Sequence, residues 1–175
     1  MIIIQKPTKE NVRDIQQVFY ETWLVTYPNK EVGITVEDIE EKFKDRLSQE
    51  KIQKRTKDIL NMPENEIFLI AKDGDAIVGV CKAEKRETEN ELSAIYVLPS
   101  YQGKGVGMML WEKVKEFFGN EKSIIVHVAT YNTQAINFYQ RLGFIDTGKR
   151  FTNEKHKMPI SGVIIPEMEF VIKNV

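Results

Sequence analysis

Gly103, Gly105 and Gly107 fall at alternate positions in the stretch "IYVLPSYQGKGVGMMLW" (residues 95–111), where an apolar run hands over to a helical pattern. A helix N-terminus leaves its first backbone N–H groups unpaired and carries about half a positive charge from its aligned peptide dipoles. An anion is stabilised at such a point, and glycines remove the side chains that would hold it away. Lys104 adds a cation at the rim. The chemistry this stretch suits is the grip of a phosphate-bearing ligand, the bland alternative being glycines that merely permit a tight turn. Two familiar phosphate-binding turns do not match. A P-loop needs G-x-x-x-x-G-K-[ST]. A dinucleotide-binding turn needs G-x-G-x-x-G early in a βαβ unit, whereas here the spacing is G-x-G-x-G and three strands in hairpin order come first.

Other reactive residue types are sparse. Cys81 is the single cysteine; in "IVGVCKA" it reads as a small buried apolar residue and cannot form an internal disulfide. His127 and His156 are too far apart in pattern for a metal site, and each reads as a satisfied core or surface histidine. Glu87, Glu89 and Glu91 crowd one polar hairpin, where solvated charges are the ordinary explanation. Tyr139 falls on an amphipathic helical pattern and by itself reads as a core tyrosine.

The elements that must position these residues follow from periodicity. "IIIQ" reads as a first strand, with Thr8 as a helix-start acceptor and Val12, Ile15, Phe19 and Trp23 on one helical face. "TYPNKEVG" breaks that helix, and "TVED" at residues 35–38 opens another through a capping box. Val36, Ile39, Phe43 and Leu47 carry it, and the segment through Asp58 either continues it or forms a third short helix. From Glu66 the period changes to that of three strands, turned at Asp73-Gly74-Asp75 and again at "KRETENE". Val106, Met109, Leu110, Val114 and Phe117 mark the next helix, "SIIVHVAT" a buried fifth strand, and Ala135, Phe138 and Leu142 a last helix ending at Gly143. "DTGKRFTN" and "GVIIPEMEFVIK" close the chain as two strands, with Pro166 at an edge or bulge. The order β-α-α-β-β-β-α-β-α-β-β describes one mixed α/β domain over residues 1–175.

Composition fits that picture. The chain has 42% hydrophobic and 29% charged residues and a net charge of -1, so nothing draws it globally toward nucleic acid or an anionic membrane. "KIQKRTK" at residues 51–57 is the one basic run, and it reads as a solvated helix face. No apolar stretch approaches the ~20 residues that span a bilayer, and "MIIIQKPTKENV" is too short and too soon charged for a secretory signal. A cytoplasmic protein with no nucleic-acid or membrane partner is expected.

Two stretches together resemble the GNAT superfamily of N-acetyltransferases. "YQGKGVG" is similar to its [QR]-x-x-G-x-[GA] signature, with Gln102, Gly105 and Gly107 in the defining places. "NTQAINFYQRLGF" resembles its second signature at Asn132, Ala135, Phe138, Tyr139, Gly143 and Phe144. The likeness covers most of the chain from Glu66 to Phe144 and implies a central mixed, mostly antiparallel sheet of about seven strands flanked by about four helices. It implies acetyl-CoA as co-substrate, no metal, and direct transfer of acetyl to a primary amine, by a monomer or homodimer. Backbone N–H groups of Gln102, Gly103, Lys104, Gly105, Val106, Gly107 and Met108 would then hold the pyrophosphate. The strand at Ile95, Tyr96 and Val97 would splay from its neighbour to pair with pantetheine, the Ile95 N–H facing the thioester oxygen. Asn132 and Asn137 would contact pantetheine or position the helix, Tyr139 would be the general acid, and Glu91 would be the base, acting through water. "ETWLVTYPN" resembles the region of members that acetylate polyamines and other small amines, which implies an acceptor met by Tyr20, Glu21, Trp23 and Tyr27, with the last hairpin near Phe151 and His156. A protein N-terminus or lysine side chain remains an alternative acceptor, and a catalytically silent acyl-CoA-binding module an alternative function.

Overall fold

The computed structural model describes residues 1–173. Seven strands, β1 (Ile2–Gln5), β2 (Glu66–Asp73), β3 (Ala76–Glu84), β4 (Asn90–Val97), β5 (Ile124–Ala129), β6 (Ile145–Lys157) and β7 (Ile164–Ile172), form one sheet in the order β1-β2-β3-β4-β5-β7-β6. Every neighbouring pair is antiparallel except β4 and β5. Five helices flank it: α1 (Val12–Thr26), α2 (Val36–Phe43), α3 (Gln49–Leu60), α4 (Val106–Phe118) and α5 (Thr133–Arg141).

The architecture is the expected one, with five helices in place of about four. The difference lies at residues 44–48. There the Arg46 N–H donates to the Phe43 carbonyl and the Ser48 N–H to the Asp45 carbonyl, so three-residue turns end α2. The Ser48 side chain then accepts from the Lys51 N–H and starts α3 afresh. The expected capping box of α2 is present: the Asp38 N–H donates to Thr35 Oγ1 (3.2 Å), and the Thr35 N–H donates back to Asp38 Oδ2 (3.0 Å). On α4 the buried face runs through Val106, Leu110, Trp111, Val114 and Phe118, which leaves Met109 more exposed than its spacing suggested. Pro166 is not at an edge, since β7 lies between β5 and β6; its partner Thr152 instead begins an irregular stretch of the β6–β7 ladder.

Helices cover both faces, which is why the central strands are apolar almost without interruption. Leu110, Trp111 and Val114 of α4 pack with Val78, Cys81, Leu92, Val126 and Phe170 on one face. Ile15 and Val18 of α1 pack with Phe68, Ile70 and Val80 on the other. A third cluster joins Trp23, Ile34 and Ile39 to Ala129, Met158 and Ile165, fixing α1 and α2 against the end of the β6–β7 hairpin. Asp38 ties that hairpin down a second time, its Oδ1 accepting from the Ile160 (3.1 Å) and Ser161 (2.8 Å) N–H groups.

What positions the site is an interruption in this sheet. β4 and β5 pair only over Asn90–Leu92 and Ile124–Val126, although they run on to Val97 and Ala129. Beyond Leu92 they part. Just there β4 carries a bulge: the partners of Lys82 and Ala83 are Ala94 and Leu92, which leaves Ser93 unpaired and bends the strand.

Candidate active site

The parted strands open a cavity of about 370 Å³ walled by β4, β5, the N-terminus of α4 and the inner side of α5. Its β4 wall offers bare backbone. The Leu98 N–H donates to the Val78 carbonyl (2.9 Å), and antiparallel pairs alternate between bonded and non-bonded. Counting back through the register, Tyr96 pairs with β3, while Ile95 and Val97 turn their N–H and C=O groups away from it, toward the gap. One of these groups is already used: the Val97 carbonyl accepts from Gln102 Nε2 (3.0 Å), and Gln102 Oε1 accepts from Gln134 Nε2 (2.8 Å), which ties the end of β4 to α5.

The glycine turn supplies the second wall. The first residue of α4 whose N–H finds a backbone acceptor is Met109, bonded to the Gly105 carbonyl (3.0 Å). The amides of residues 103–108 have no backbone partner among the described residues, and Gly103, Gly105, Val106, Gly107 and Met108 line the cavity. The Gln102 N–H donates to the Pro99 carbonyl (3.3 Å), so the free row begins at Gly103 and not at Gln102. Gly105 has φ +82°, and a Cβ built there meets nothing within 4 Å, so the space above this turn is open for an anion. Gly107 answers a different need. A Cβ there would lie 3.3 Å from the Phe138 ring, so its absence lets α4 and α5 approach. Lys104 does not line the cavity; its Nζ rests 5.0 Å from the centre of the Tyr101 ring.

α5 brings Tyr139 to the same cavity, its ring edge-on to Phe138 and Phe144 and only 5% exposed. Burial, then the proximity of Cys81 and Tyr96, push its hydroxyl above the ordinary phenol range, so it stays protonated at neutral pH. Asn132 lines the cavity too, but its Oδ1 accepts from the Ala135 N–H (3.1 Å) as the N-cap of α5, the helix-positioning alternative of the two expected. Asn137 is exposed and does not line the cavity.

A second cavity of about 210 Å³ adjoins the first, lined by Trp23 of α1 and Tyr27 just beyond its end, Glu91 to Ser93 and Tyr96 of β4, His127 of β5, Asn153 and His156 of β6, and Glu167 of β7. Tyr27, Ser93, Tyr96 and His127 line both. The bulge at Ser93 decides what faces where. Leu92, Ile95 and Val97 pack toward α4 and Tyr96 toward α1, so Glu91, next to Leu92, falls on the Tyr96 side and into the second cavity. There its carboxylate is ion-paired with Arg86. Aromatic rings build the rest: Trp23 lies 4.2 Å from Tyr27 and 6.5 Å from His156 between ring centres, and the Tyr27 and Tyr96 hydroxyls are 2.9 Å apart. Burial is the main reason both hydroxyls are held above the ordinary phenol range. Glu21, expected beside Trp23, is exposed on α1, accepts from Gln17 Nε2 (2.9 Å), and lines neither cavity.

Two carboxylates here escaped the sequence reading. Glu167 is 7% exposed and pairs with His156 Nδ1 (3.0 Å); Glu169 is 6% exposed and meets Lys149 Nζ (2.9 Å) and His127 Nε2 (3.4 Å). Burial opposes ionisation of Glu169, but the hydrogen bonds from Lys149 and His127 outweigh it and hold its carboxyl below the usual range. The signal was present in "PEMEF": two acids alternating with apolar residues in a strand must share one face. His127 pairs directly with Glu169, so it shares that face too. Among the described residues no group of three or more His, Cys, Asp or Glu is placed to hold a metal ion, and no helix is long and apolar enough to cross a membrane.

The arrangement fits an acyl carrier with a diphosphate and an amide-bearing arm: free amides at one end, a free strand edge along the middle, and a neutral phenol and a second cavity beyond. Comparison with known proteins agrees. Residues 18–144 match the model of the acetyltransferase (GNAT) family. Peptidyl-lysine N-acetyltransferase YjaB of Salmonella typhimurium is 28% identical over 106 residues, 60% of this chain and 68% of that protein. YrkN of Bacillus subtilis, of uncharacterised function, is 27% identical over 57% of this chain and 54% of its own. The structure of the PaiA N-acetyltransferase of Thermoplasma acidophilum, in complex with coenzyme A, superposes with a TM-score of 0.69 at 21% identity, covering 100% of this chain and 99% of that one. YjaB of Escherichia coli, in its apo solution structure, gives 0.58 at 18% identity over 100% and 99%. The free amide row, the parted strands and the family match over residues 18–144 together make this chain a member of the GNAT acetyltransferase family, an enzyme that uses acetyl-CoA.

Proposed function

We propose that this chain transfers acetyl directly from acetyl-CoA to a primary alkylamine small enough for the second cavity, a di- or polyamine before others. The observation that carries this reading is the shared wall at Tyr27, Ser93, Tyr96 and His127, which joins the carrier's cavity to an aromatic and acidic one. The amides of residues 103–108 hold the diphosphate, and the free groups of Ile95 and Val97 pair with the pantetheine arm as an added strand would. The Ile95 N–H stabilises the oxyanion of the attacked thioester, and the Tyr139 hydroxyl protonates the departing thiolate.

An alkylamine with pKa near 10.4 is mostly charged at pH 7, so its free form costs roughly 4–5 kcal/mol. A diamine leaves its second end cationic while the first reacts. Glu91 and Glu167 supply negative charge for that end, and Trp23, Tyr27 and Tyr96 supply ring faces. Peptide lysine is the second reading, supported by the likeness to YjaB, a peptidyl-lysine N-acetyltransferase. One experiment separates them: CoA release with acetyl-CoA and a panel of spermidine, spermine, putrescine, monoamines and lysine peptides. Highest kcat/KM on the di- and polyamines is expected. Turnover confined to lysine peptides would overturn the first reading in favour of the second.

A further inference from the structure

We infer that His127 is a catalytic residue of this acetyl transfer: its imidazole, at the junction of the two cavities, takes the proton from the incoming ammonium, and Glu169 holds the ring from behind. The inference rests on the acetyl-transfer reading and adds to it the group that makes the amine nucleophilic. Four residues line both cavities. Ser93 is not a base, and the buried hydroxyls of Tyr27 and Tyr96 are bonded to each other (2.9 Å). His127 alone among the four carries an imidazole, the side chain suited to taking up a proton and passing it on.

Its surroundings suit the task. Nε2 faces Glu169 Oε2 (3.4 Å), and Glu169 Oε1 is held by Lys149 Nζ (2.9 Å), so the ionised carboxylate fixes the proton on Nε2 and leaves the Nδ1 lone pair free. The Phe151 ring packs on the imidazole at 4.8 Å between centres, 77° from coplanar, and sets its plane. Lys149 is largely exposed, which gives the charged cluster contact with solvent. The other charged or titratable groups are, around the second cavity, Glu91 with its partner Arg86, the His156–Glu167 pair, and Tyr27 and Tyr96, and, around the first, Tyr101, Tyr139 and Arg141. Glu91 lines the second cavity only, and its carboxylate is paired with Arg86. It therefore sits one step from the junction, on the acceptor's side.

The protons balance. The ammonium loses one to His127 Nδ1, which passes it to solvent. The free amine attacks the thioester carbon, a C–N bond forms and the C–S bond breaks. The Tyr139 hydroxyl gives its proton to the sulfur and regains one from the new amide nitrogen, directly or through water. The products are the acetamide and the CoA thiol.

The test measures kcat/KM against pH, with spermidine or, if it alone is acetylated, a lysine peptide, for the native chain and for His127→Gln, His127→Ala, Glu169→Gln and Glu91→Gln. Calorimetry with CoA accompanies each. Both His127 variants should lose about 100-fold at pH 7 and lose the acidic limb of the profile, with CoA affinity unchanged within about twofold. That unchanged affinity separates a chemical role from a structural one. Glu169→Gln removes a charge that favours the protonated ring, so its acidic limb should move to lower pH, with about a 10-fold loss. A His127→Gln variant that kept rate and limb would overturn the inference; if Glu91→Gln then lost both, Glu91 would be the base. The imidazole titration of His127, followed by NMR, should also move down in Glu169→Gln. That readout stands even if no amine in the panel is acetylated, a result that would sink the functional reading instead.

Discussion

The two adjoining cavities, proposed for the acyl carrier and for the acceptor, share a wall but are made of different material. The first offers the unpaired amides of the α4 turn and the free edge of β4 at Ile95 and Val97, so recognition proposed there is mostly main chain. Side chains from α1, β4, β5, β6 and β7 form the second, spread from Trp23 to Glu167. Main-chain recognition tolerates almost any side chain except where a Cβ would intrude, and it therefore leaves a compact glycine signature. Side-chain recognition can be rebuilt residue by residue without disturbing the fold. On the proposed reading, one half of the site is fixed by the family's chemistry, and the other is free to choose a substrate.

If the two halves are separable, changes in one should leave the other's constants alone. The largest effect belongs to Tyr139→Phe. It keeps the ring against Phe138 and Phe144 but removes the proton donor, so kcat should fall by about 10²–10³-fold while Kd for CoA, by calorimetry, stays put. A weakened Kd would mean that Tyr139 acts on binding and that chemistry and binding are not divided as proposed.

Next comes Gly105→Val. A β-branched residue at φ +82° costs about 1–2 kcal/mol, and its Cβ projects into the open space above the free amides. CoA should bind about 100-fold more weakly, the equivalent of losing two charge-assisted hydrogen bonds. At saturating acetyl-CoA the KM for the amine should hardly move.

Asp38→Ala tests the frame on the acceptor side. It removes the acceptor for the Thr35, Ile160 and Ser161 N–H groups and should cost about 2 kcal/mol in thermal unfolding, loosening the β6–β7 hairpin but not the α4 turn. Burial works against ionisation of Asp38, but the hydrogen bonds from Ser161, Thr35 and Ile160 prevail, and its carboxyl lies below its ordinary value of 3.8. A lowered carboxyl contributes stability that is complete above that value and is lost as pH falls through the folded one. The stability gap between the native chain and Asp38→Asn should therefore be widest near neutrality and close on acidification below about pH 4.

The smallest effect is assigned to Glu167→Gln. A partly screened charge facing a cationic acceptor is worth about 1 kcal/mol, so KM for spermidine should rise several-fold to 10-fold with kcat and CoA affinity little changed. An unchanged KM would show that the acceptor's charge is met elsewhere, Glu91 being the remaining carboxylate of that cavity.

Legibility followed the same division. Element order, the capping box at Thr35, the turn at Gly74 and the α4 N-terminus were readable, because each depends on residues within a few positions of one another. Helix α3 was ambiguous, since the break at residues 44–48 is made by backbone turns with no glycine or proline to mark it. Glu21 and Trp23 looked equivalent in "ETW", yet one points to solvent and the other into a cluster with Ile39 and Met158, because helical rotation over two residues separates their faces. Asn137, placed by motif similarity, turned out to lie on the outer side of α5.

The sequence by itself determined the row of unpaired amides: a helix that starts at a glycine turn leaves its first N–H groups bare, because the cause is local backbone geometry. Only tertiary structure decided the surroundings of the second cavity. The bulge at Ser93 sends Glu91 and Tyr96 to one side and Ile95 to the other, and strand pairing brings Glu169 to His127 across 42 residues of chain. Side-chain faces alternate with period two, so a single unpaired residue reverses them, and no composition or local spacing records where that residue falls.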